Sequence, residues 1–497
     1  MPTIPGAACK RAAVDHAGNV SGKRPRRFDA DVVVIGAGSA GLVAALIAAA
    51  LEAEVVLVES DVMGGECLNT GCVPSKALIA AARRAHLART GGRLGVDTST
   101  VEVDFGRVMA HVRRSIDAIA PNDSVERYEG LGVRCVNARA RLVDPWTVEA
   151  EGRRYRARSI VIATGADPAV PPVPGLDETP FLTSHTLWGL TELPRRLAIL
   201  GGGPIGCELA QAFARLGSRV EVFEMQQRLL AGEDPEVGDL LARRLGTEGV
   251  TVRTGTRVER ASPGVLAWSG PDGRGESGFD HLLVAAGRRP RVQGFGLEEL
   301  GVEIVDGALG VNPFMQTNYP HIYACGDVAG PWQFTHAAAH QAWHAAVNAL
   351  LRPFWRMRVG YEHLPWCIYT DPEVARVGLN ETAAAAAGVR FERTVFPIAE
   401  LDRALVEAEP EGFVKILTRP GSGRVLGATV VCAHAGELIT TITVAMKHGI
   451  TLDGLLATIV PYPAWSEAIK RAAGSWKRER TPAWLLPWLA RFHQLRR

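Results

Sequence analysis

Apolar and polar positions fall into blocks along this chain, and two of the blocks repeat each other. From Asp31 the run DVVVIGAGSAGLVAALIAAALEAEVVLVES begins as an apolar strand, breaks at glycines, continues as an alanine-rich helix and closes on a second apolar strand that ends in an acid. RLAILGGGPIGCELAQAFARLGSRVEVFEM repeats the same order. The acid lies 23 positions after the first glycine in both, Glu59 after Gly36 and Glu224 after Gly201. This pattern predicts strand–turn–helix–strand units that cradle a dinucleotide. Gly36 and Gly201 permit the tight turn, Gly38 and Gly203 let the backbone approach a pyrophosphate, and Gly41 and Gly206 let the helix pack on the strand. Glu59 and Glu224 are placed to accept ribose hydroxyls. Equal spacing in both blocks predicts two dinucleotide sites in one chain. A carboxylate at Glu224 repels a 2′-phosphate and so favours NADH, with Arg219 and Arg228 near enough in sequence to leave NADPH open.

Between the first block's helix and the rest lies GGECLNTGCVPSK, Gly64 to Lys76, with Cys67 and Cys72 among turn-forming residues. It reads as a redox-active disulfide. ALIAAARRAHLA follows, so a long helix starts at Cys72, and its positive end favours a thiolate there. A zinc half-site would need a second close cysteine pair, which the 8 cysteines do not supply. A disulfide cycled in turnover needs an electron source, and two dinucleotide sites can hold a flavin and a nicotinamide.

The remaining pattern organises the chain around these sites. SIVIATGADPAVPPVPG runs as a strand into Ala163, Thr164 and Gly165 and then a proline-rich crossing; HLLVAAGRRP, with Gly287, is a parallel crossing back. The first nucleotide domain is therefore expected to be discontinuous. HIYACGDVAG sets Asp327 after a strand and Gly326, where an acid among apolar neighbours suits a bond to a flavin's sugar chain. From about Tyr361, strand-like GFVKIL and GRVLGATVVC and helical GELITTITVAMKHG predict an α+β third domain, assigned to association.

Composition narrows the class. At 497 residues the chain is expected to form about three domains, and 47% hydrophobic with 22% charged residues suits a folded protein. A net charge of +2 predicts no polyanionic partner, and no nucleic-acid motif is present. With no apolar signal region and no run of eighteen apolar residues, the cytoplasm is the expected location. His336, His340 and His344 form one helical stripe, but no carboxylate or cysteine joins it, so packing or hydrogen bonding is expected and no metal. The leader contains Cys9, read as a solvated bystander. The tail WKRERTPAWLLPWLARFHQLRR mixes Trp476, Trp484 and Trp488 with six Lys or Arg against one Glu. It is expected to pack on its own protein, with weak contact to an anionic membrane surface as the other reading; Pro482 and Pro487 should interrupt a long helix.

Taken together, Cys67, Asn69, Gly71, Cys72, Pro74, Ser75 and Lys76, both glycine fingerprints, Ala163–Gly165 and Gly326–Asp327 resemble the class I pyridine nucleotide–disulfide oxidoreductases. This is the family of dihydrolipoamide dehydrogenase, glutathione reductase and mercuric reductase, and the likeness spans roughly Phe28 to Ser475. It implies an α/β fold with two Rossmann-like dinucleotide-binding domains and a C-terminal α+β dimerisation domain. The expected division is a disordered leader over 1–27, FAD-binding over 28–165 and 288–355, NAD(P)-binding over 166–287, dimerisation over 356–475 and a basic Trp-rich tail over 476–497. It further implies a homodimer in which NAD(P)H reduces FAD, the flavin reduces the disulfide, Cys67 exchanges with substrate and Cys72 contacts the flavin. Lys76 and Glu208 would pair beside the flavin, and Thr164, Gly165, Asp327 and Gly287 would help hold the cofactors.

The likeness departs at the C-terminal motif, where lipoamide and glutathione reductases have His-Pro with a Glu five positions after the His. This chain has Tyr462-Pro463 and Glu467. A phenol with a pKa near 10 is a poor base, so thiol–disulfide exchange should be slower by roughly 10²–10⁴-fold. Mercuric reductases resemble the chain here, carrying Tyr at that position to contact the metal, but their C-terminal cysteine pair is absent, Cys432 being the last cysteine. No counterpart of their N-terminal metal-binding domain is expected, since the leader holds only Cys9 and no CxxC. The expectation is a mercuric-reductase-like enzyme using NADH, set against a lipoamide or other small-disulfide reductase and a flavin-only quinone reductase.

Overall fold

A computed structural model describes residues 24–98 and 100–497. Cys9 and most of the expected leader lie outside the described residues. The chain builds three main sheets. In the first, strands run in the order Arg134–Asn137, Val55–Glu59, Ala30–Ile35, Arg153–Ile162, Thr147–Ala150, Arg141–Asp144, and Ile322–Ala324 joins the far side of Arg153–Ile162. That last pairing is parallel, Ile322 opposite Ile160, so the sheet is assembled from two separated stretches of chain. Its central strands are covered on both faces, which is why they read as unbroken apolar runs. Val33, Ile35, Val56 and Val58 feed one core, while Val32, Val34, Val55 and Leu57 feed the other. On the second face the helices Ser39–Ala50 and Thr335–Leu351 pack through small residues, Ala44, Ala45 and Ala48 with Ala338, Ala342 and Ala345.

The second sheet is parallel, in the order Thr251–Arg253, Arg219–Phe223, Arg196–Leu200, His281–Val284. The two crossings meet as a ribbon, Ala166–Pro168 antiparallel to Arg288–Pro290. The third sheet has five antiparallel strands backed by the helices Ala435–Lys447 and Glu467–Glu479. It is joined to the second by buried charge: Arg215 pairs with Glu248 at 2.6 Å and with Asp371 at 2.8 Å. Gln211 and the Asp371 backbone exchange two hydrogen bonds across the same seam.

The cysteine segment is more helical than its turn-forming residues suggest, with Cys67 on a short helix, Gly65–Asn69. The tail also departs from expectation. Pro482 separates the helices Glu467–Glu479 and Leu485–Leu495, but Pro487 sits in the first turn of the latter, where its missing N–H leaves no bond unmade. Of the expected tail, Trp476 packs into the third sheet's core as expected and Arg480 pairs with Glu392, whereas the last helix has no fully buried residue, Leu485 and Leu489 being half-buried. No helix of the described residues is long and apolar enough to cross a membrane.

Candidate active site

The two glycine turns are built alike. Gly36 and Gly201 have φ of +100° and +113°, and a Cβ on either would stand 2.5 Å from a backbone oxygen, of Ala163 or Ala285. A Cβ on Gly41 or Gly206 would lie 1.7 or 1.9 Å from the carbonyl oxygen of Gly36 or Gly201. Glu59 accepts from the Ala37 N–H at 2.6 Å, and Glu224 from the Gly202 N–H at 2.7 Å, so each acid closes its turn from the next strand. Among the described residues, and apart from each glycine's own chain neighbours and helix backbone, no atom stands within 4 Å of where a Cβ would sit on Gly203 or Gly165, and Gly38 first meets Gly65 at 3.8 Å. Open space over a backbone free of side chains fits a dinucleotide at each turn.

Cys72 opens the 19-residue helix Cys72–Thr90 and stands 3.4 Å from the hydroxyl of Thr335, which opens the helix Thr335–Leu351. Two helix N-termini thus converge on one sulfur. Asn69 ties the preceding turn by donating to the Met63 and Gly65 carbonyls at 3.1 and 2.8 Å. Gly71 is required because a Cβ there would meet the Glu66 oxygen at 2.9 Å. The sulfurs interact as a hydrogen-bonded pair and divide their proton unequally. The bond from Cys67, helped by Thr335 and the Lys76 charge, holds the Cys72 pKa below the ordinary thiol value against the cost of burial. The same bond and burial push the Cys67 thiol up.

Lys76, one turn along the cysteine helix, donates to Glu208 at 2.7 Å. Glu208 lies on Pro204–Leu216, the helix of the second glycine turn, and also accepts the Tyr369 N–H at 2.8 Å. Lys76 sits 4.7 Å over the Tyr369 ring. Asp327 accepts from Arg288 at 2.8 Å, and Arg288 also pairs with Glu66, the neighbour of Cys67. Burial raises the Asp327 pKa. For Glu66 burial is outweighed by the approach of His185 at 3.4 Å and by the hydrogen bonds and charge of Arg288, which hold it at about 2. The Arg288 Nε is buried with no partner, a donor left over in the same polar cluster.

Several of these residues escaped the sequence reading. Arg288 was visible only as part of the return crossing, and Glu66, Thr335 and Tyr369 belong to no pattern of spacing. Trp188, whose indole N–H donates to the Thr70 carbonyl at 2.8 Å, is equally silent in sequence. Of the expected site, Tyr462 and Glu467 lie on the third sheet's side of the molecule. Tyr462 is 69% exposed and donates to Asp402 at 3.1 Å, while Glu467 accepts weakly from the Ala464 N–H at 3.4 Å. Their partners within one chain among the described residues lie there, and neither cysteine is among them. His336 bonds the Pro365 carbonyl at 2.6 Å and His344 that of His340 at 2.8 Å. Among the described residues, Asp234, Glu236 and Glu381 alone have metal-like spacing, and the ammonium of Lys415 occupies their centre.

Residues 30–342 match the model of the pyridine nucleotide-disulphide oxidoreductases, and residues 364–473 match the dimerisation domain of the same enzymes. The chain belongs to that family. This oxidoreductase is 37% identical over 458 residues to a mercuric reductase of Streptomyces lividans, covering 89% of this chain and 95% of the relative. It is 34% identical over 458 residues to a dihydrolipoyl dehydrogenase of Chlamydia muridarum, covering 89% and 96%. Among solved structures, LpdA of Mycobacterium tuberculosis superposes with a TM-score of 0.81 at 29% identity, over 89% of this chain and 99% of that one. A Cu(II) complex of the HOCl-induced flavoprotein disulfide reductase RclA of Escherichia coli gives 0.78 at 27%, over 88% and 98%. The oxidoreductase is thus an FAD-dependent enzyme that draws on NAD(P)H, and its dimerisation domain supports a homodimer.

Proposed function

We propose that this oxidoreductase passes two electrons from NADH through Cys67 and Cys72 to a thiophilic metal ion, with Hg(II) as the type case. The observation that carries this reading is Tyr462, which stands where disulfide reductases have a histidine base and donates its proton to Asp402. The neighbouring Asp402 carboxylate raises its pKa further, so it stays a phenol at neutral pH. A phenol cannot collect protons from a departing dithiol, but a metal ion bound by sulfur needs no such base.

The roles of the other residues follow from their chemistry. The first glycine turn, Glu59, Thr164, Gly165 and Asp327 would hold FAD, and the second turn, Gly287 and Glu224 would hold NADH; bound FAD supplies the two-electron relay between nicotinamide and sulfur. Lys76, fixed by Glu208, keeps positive charge beside Cys72 and favours its thiolate. Hydride equivalents from NADH open the disulfide to Cys67 thiol and Cys72 thiolate, leaving NAD⁺. The thiol and thiolate then give two electrons to Hg(II), forming Hg(0), one proton and the disulfide again. The Cu(II) complex of RclA and the mercuric reductase relatives support the acceptor class.

The test is NADH oxidation by the purified holoenzyme with Hg(II), Cu(II), lipoamide, glutathione disulfide and a quinone as acceptors. The metal ions are expected to be fastest, with Cys67→Ala and Cys72→Ser each losing at least about 10²-fold. Fastest turnover with lipoamide, or quinone turnover surviving in Cys72→Ser as the main activity, overturns the reading.

A further inference from the structure

After Glu479 the sequence holds four arginines and no Asp or Glu, and this stretch lies beyond residue 473, where the dimerisation domain ends. The helix Glu467–Glu479 packs conventionally, burying Ala468, Ile469, Ala472, Ala473 and Trp476. The helix Leu485–Leu495 has no fully buried residue, only Leu485 and Leu489 being half-buried. Trp484, Trp488, Phe492 and Leu495 are 66%, 54%, 40% and 87% exposed. Their spacing of four, four and three puts them on one face, and the Trp488 and Phe492 rings stack at 5.7 Å and 8°. Arg491 flanks that face and Arg496 and Arg497 close the helix; none of the three forms an ion pair among the described residues, Arg496 lying 5.4 Å over the Phe492 ring of the stripe itself, whereas Arg480 is taken up by Glu392.

We propose that Leu485–Leu495 is an interfacial anchor that lays its Trp484–Trp488–Phe492 stripe on an anionic lipid surface. An aromatic stripe of this extent is costly to leave in water, and tryptophan suits a boundary that is apolar on one side and wet on the other. Charge decides the occupant. Two copies of the helix meeting through this face would bring their arginines together with no acid to neutralise them, while anionic headgroups supply that charge. Spanning is excluded by length, since 11 residues rise only about 17 Å. At another exposed aromatic pair, Phe354 and Trp355, the neighbouring cations are drawn to groups outside the pair: Arg356 lies 4.0 Å over the Phe314 ring and Arg352 donates to the Pro320 carbonyl at 2.8 Å.

The experiment is co-sedimentation of the full-length holoenzyme with vesicles of phosphatidylcholine alone and of phosphatidylcholine mixed with phosphatidylglycerol. The expected result is at least about tenfold stronger binding to the mixed vesicles, weakened by salt, and a loss of at least about tenfold in Trp488→Glu/Phe492→Glu, with soluble NADH-driven turnover unchanged. Because the helix has no fully buried residue, the variant should fold as the parent does, which circular dichroism and flavin content check. Equal binding by parent and variant, or no binding by the parent, overturns the proposal. So does a smaller assembly of the variant than of the parent by light scattering, which would assign the stripe to a second copy of the chain.

Discussion

The two nucleotide units share their glycines almost atom for atom, yet their surroundings differ. Gly36 and Gly201, Gly41 and Gly206, and Glu59 and Glu224 meet the same kinds of neighbour at nearly the same distances. Around the first turn the chain folds back: a Cβ on Gly65 would lie 2.5 Å from the Gly38 Cα, so the cysteine segment is pressed against the cradle. Among the described residues beyond its own chain neighbours and helix backbone, nothing comes within 4 Å of a Cβ at Gly203 in the second. The first cradle is built against the cysteine segment, whereas the second is left open over its glycine. A fingerprint therefore specifies a cradle, and the elements laid against it specify what the cradle does.

The largest effects test whether the cradles are independent. Gly41→Val should abolish FAD retention and folded yield, because the new side chain meets the Gly36 carbonyl. Gly206→Ala should leave flavin absorbance intact while removing NADH-driven bleaching. Loss of flavin in Gly206→Ala would break the comparison. Next, Lys76→Met cuts the tie between the units and removes a cation from Cys72; NADH-driven disulfide reduction should slow by roughly 10²-fold with FAD still bound. Glu224→Arg probes only the second acid and should shift the ratio of kcat/KM for NADH over NADPH by at least about tenfold toward NADPH. An unchanged ratio would remove Glu224 from ribose recognition.

The smallest expected effect concerns the sulfurs. Because the Cys72 pKa is lowered, its thiolate persists below the ordinary thiol range near 8.5, and the reduced enzyme should keep at pH 7 an ultraviolet thiolate absorbance that Cys72→Ser loses. Thr335→Ala removes a hydrogen bond to the thiolate. The Cys72 proton should then be held to higher pH, moving the midpoint of that thiolate absorbance up by about half a pH unit in a pH titration of the reduced enzyme.

Much of this was legible in the sequence, for local reasons. A glycine needed at positive φ, a helix starting at Cys72 and alternating valines buried on both faces are consequences of a few consecutive residues, so periodicity and turn chemistry reveal them. The pairing of Lys76 with Glu208 came only through family likeness, since 132 positions separate them. Arg288 between Glu66 and Asp327, Thr335 against Cys72 and Asp402 under Tyr462 left no mark at all. The sequence by itself determined two dinucleotide cradles and a reactive cysteine pair, because backbone sterics act between near neighbours. Only the tertiary structure decided which charges meet at that pair and which aromatic face stays uncovered, because Coulomb forces and burial depend on distances that no spacing along the chain encodes.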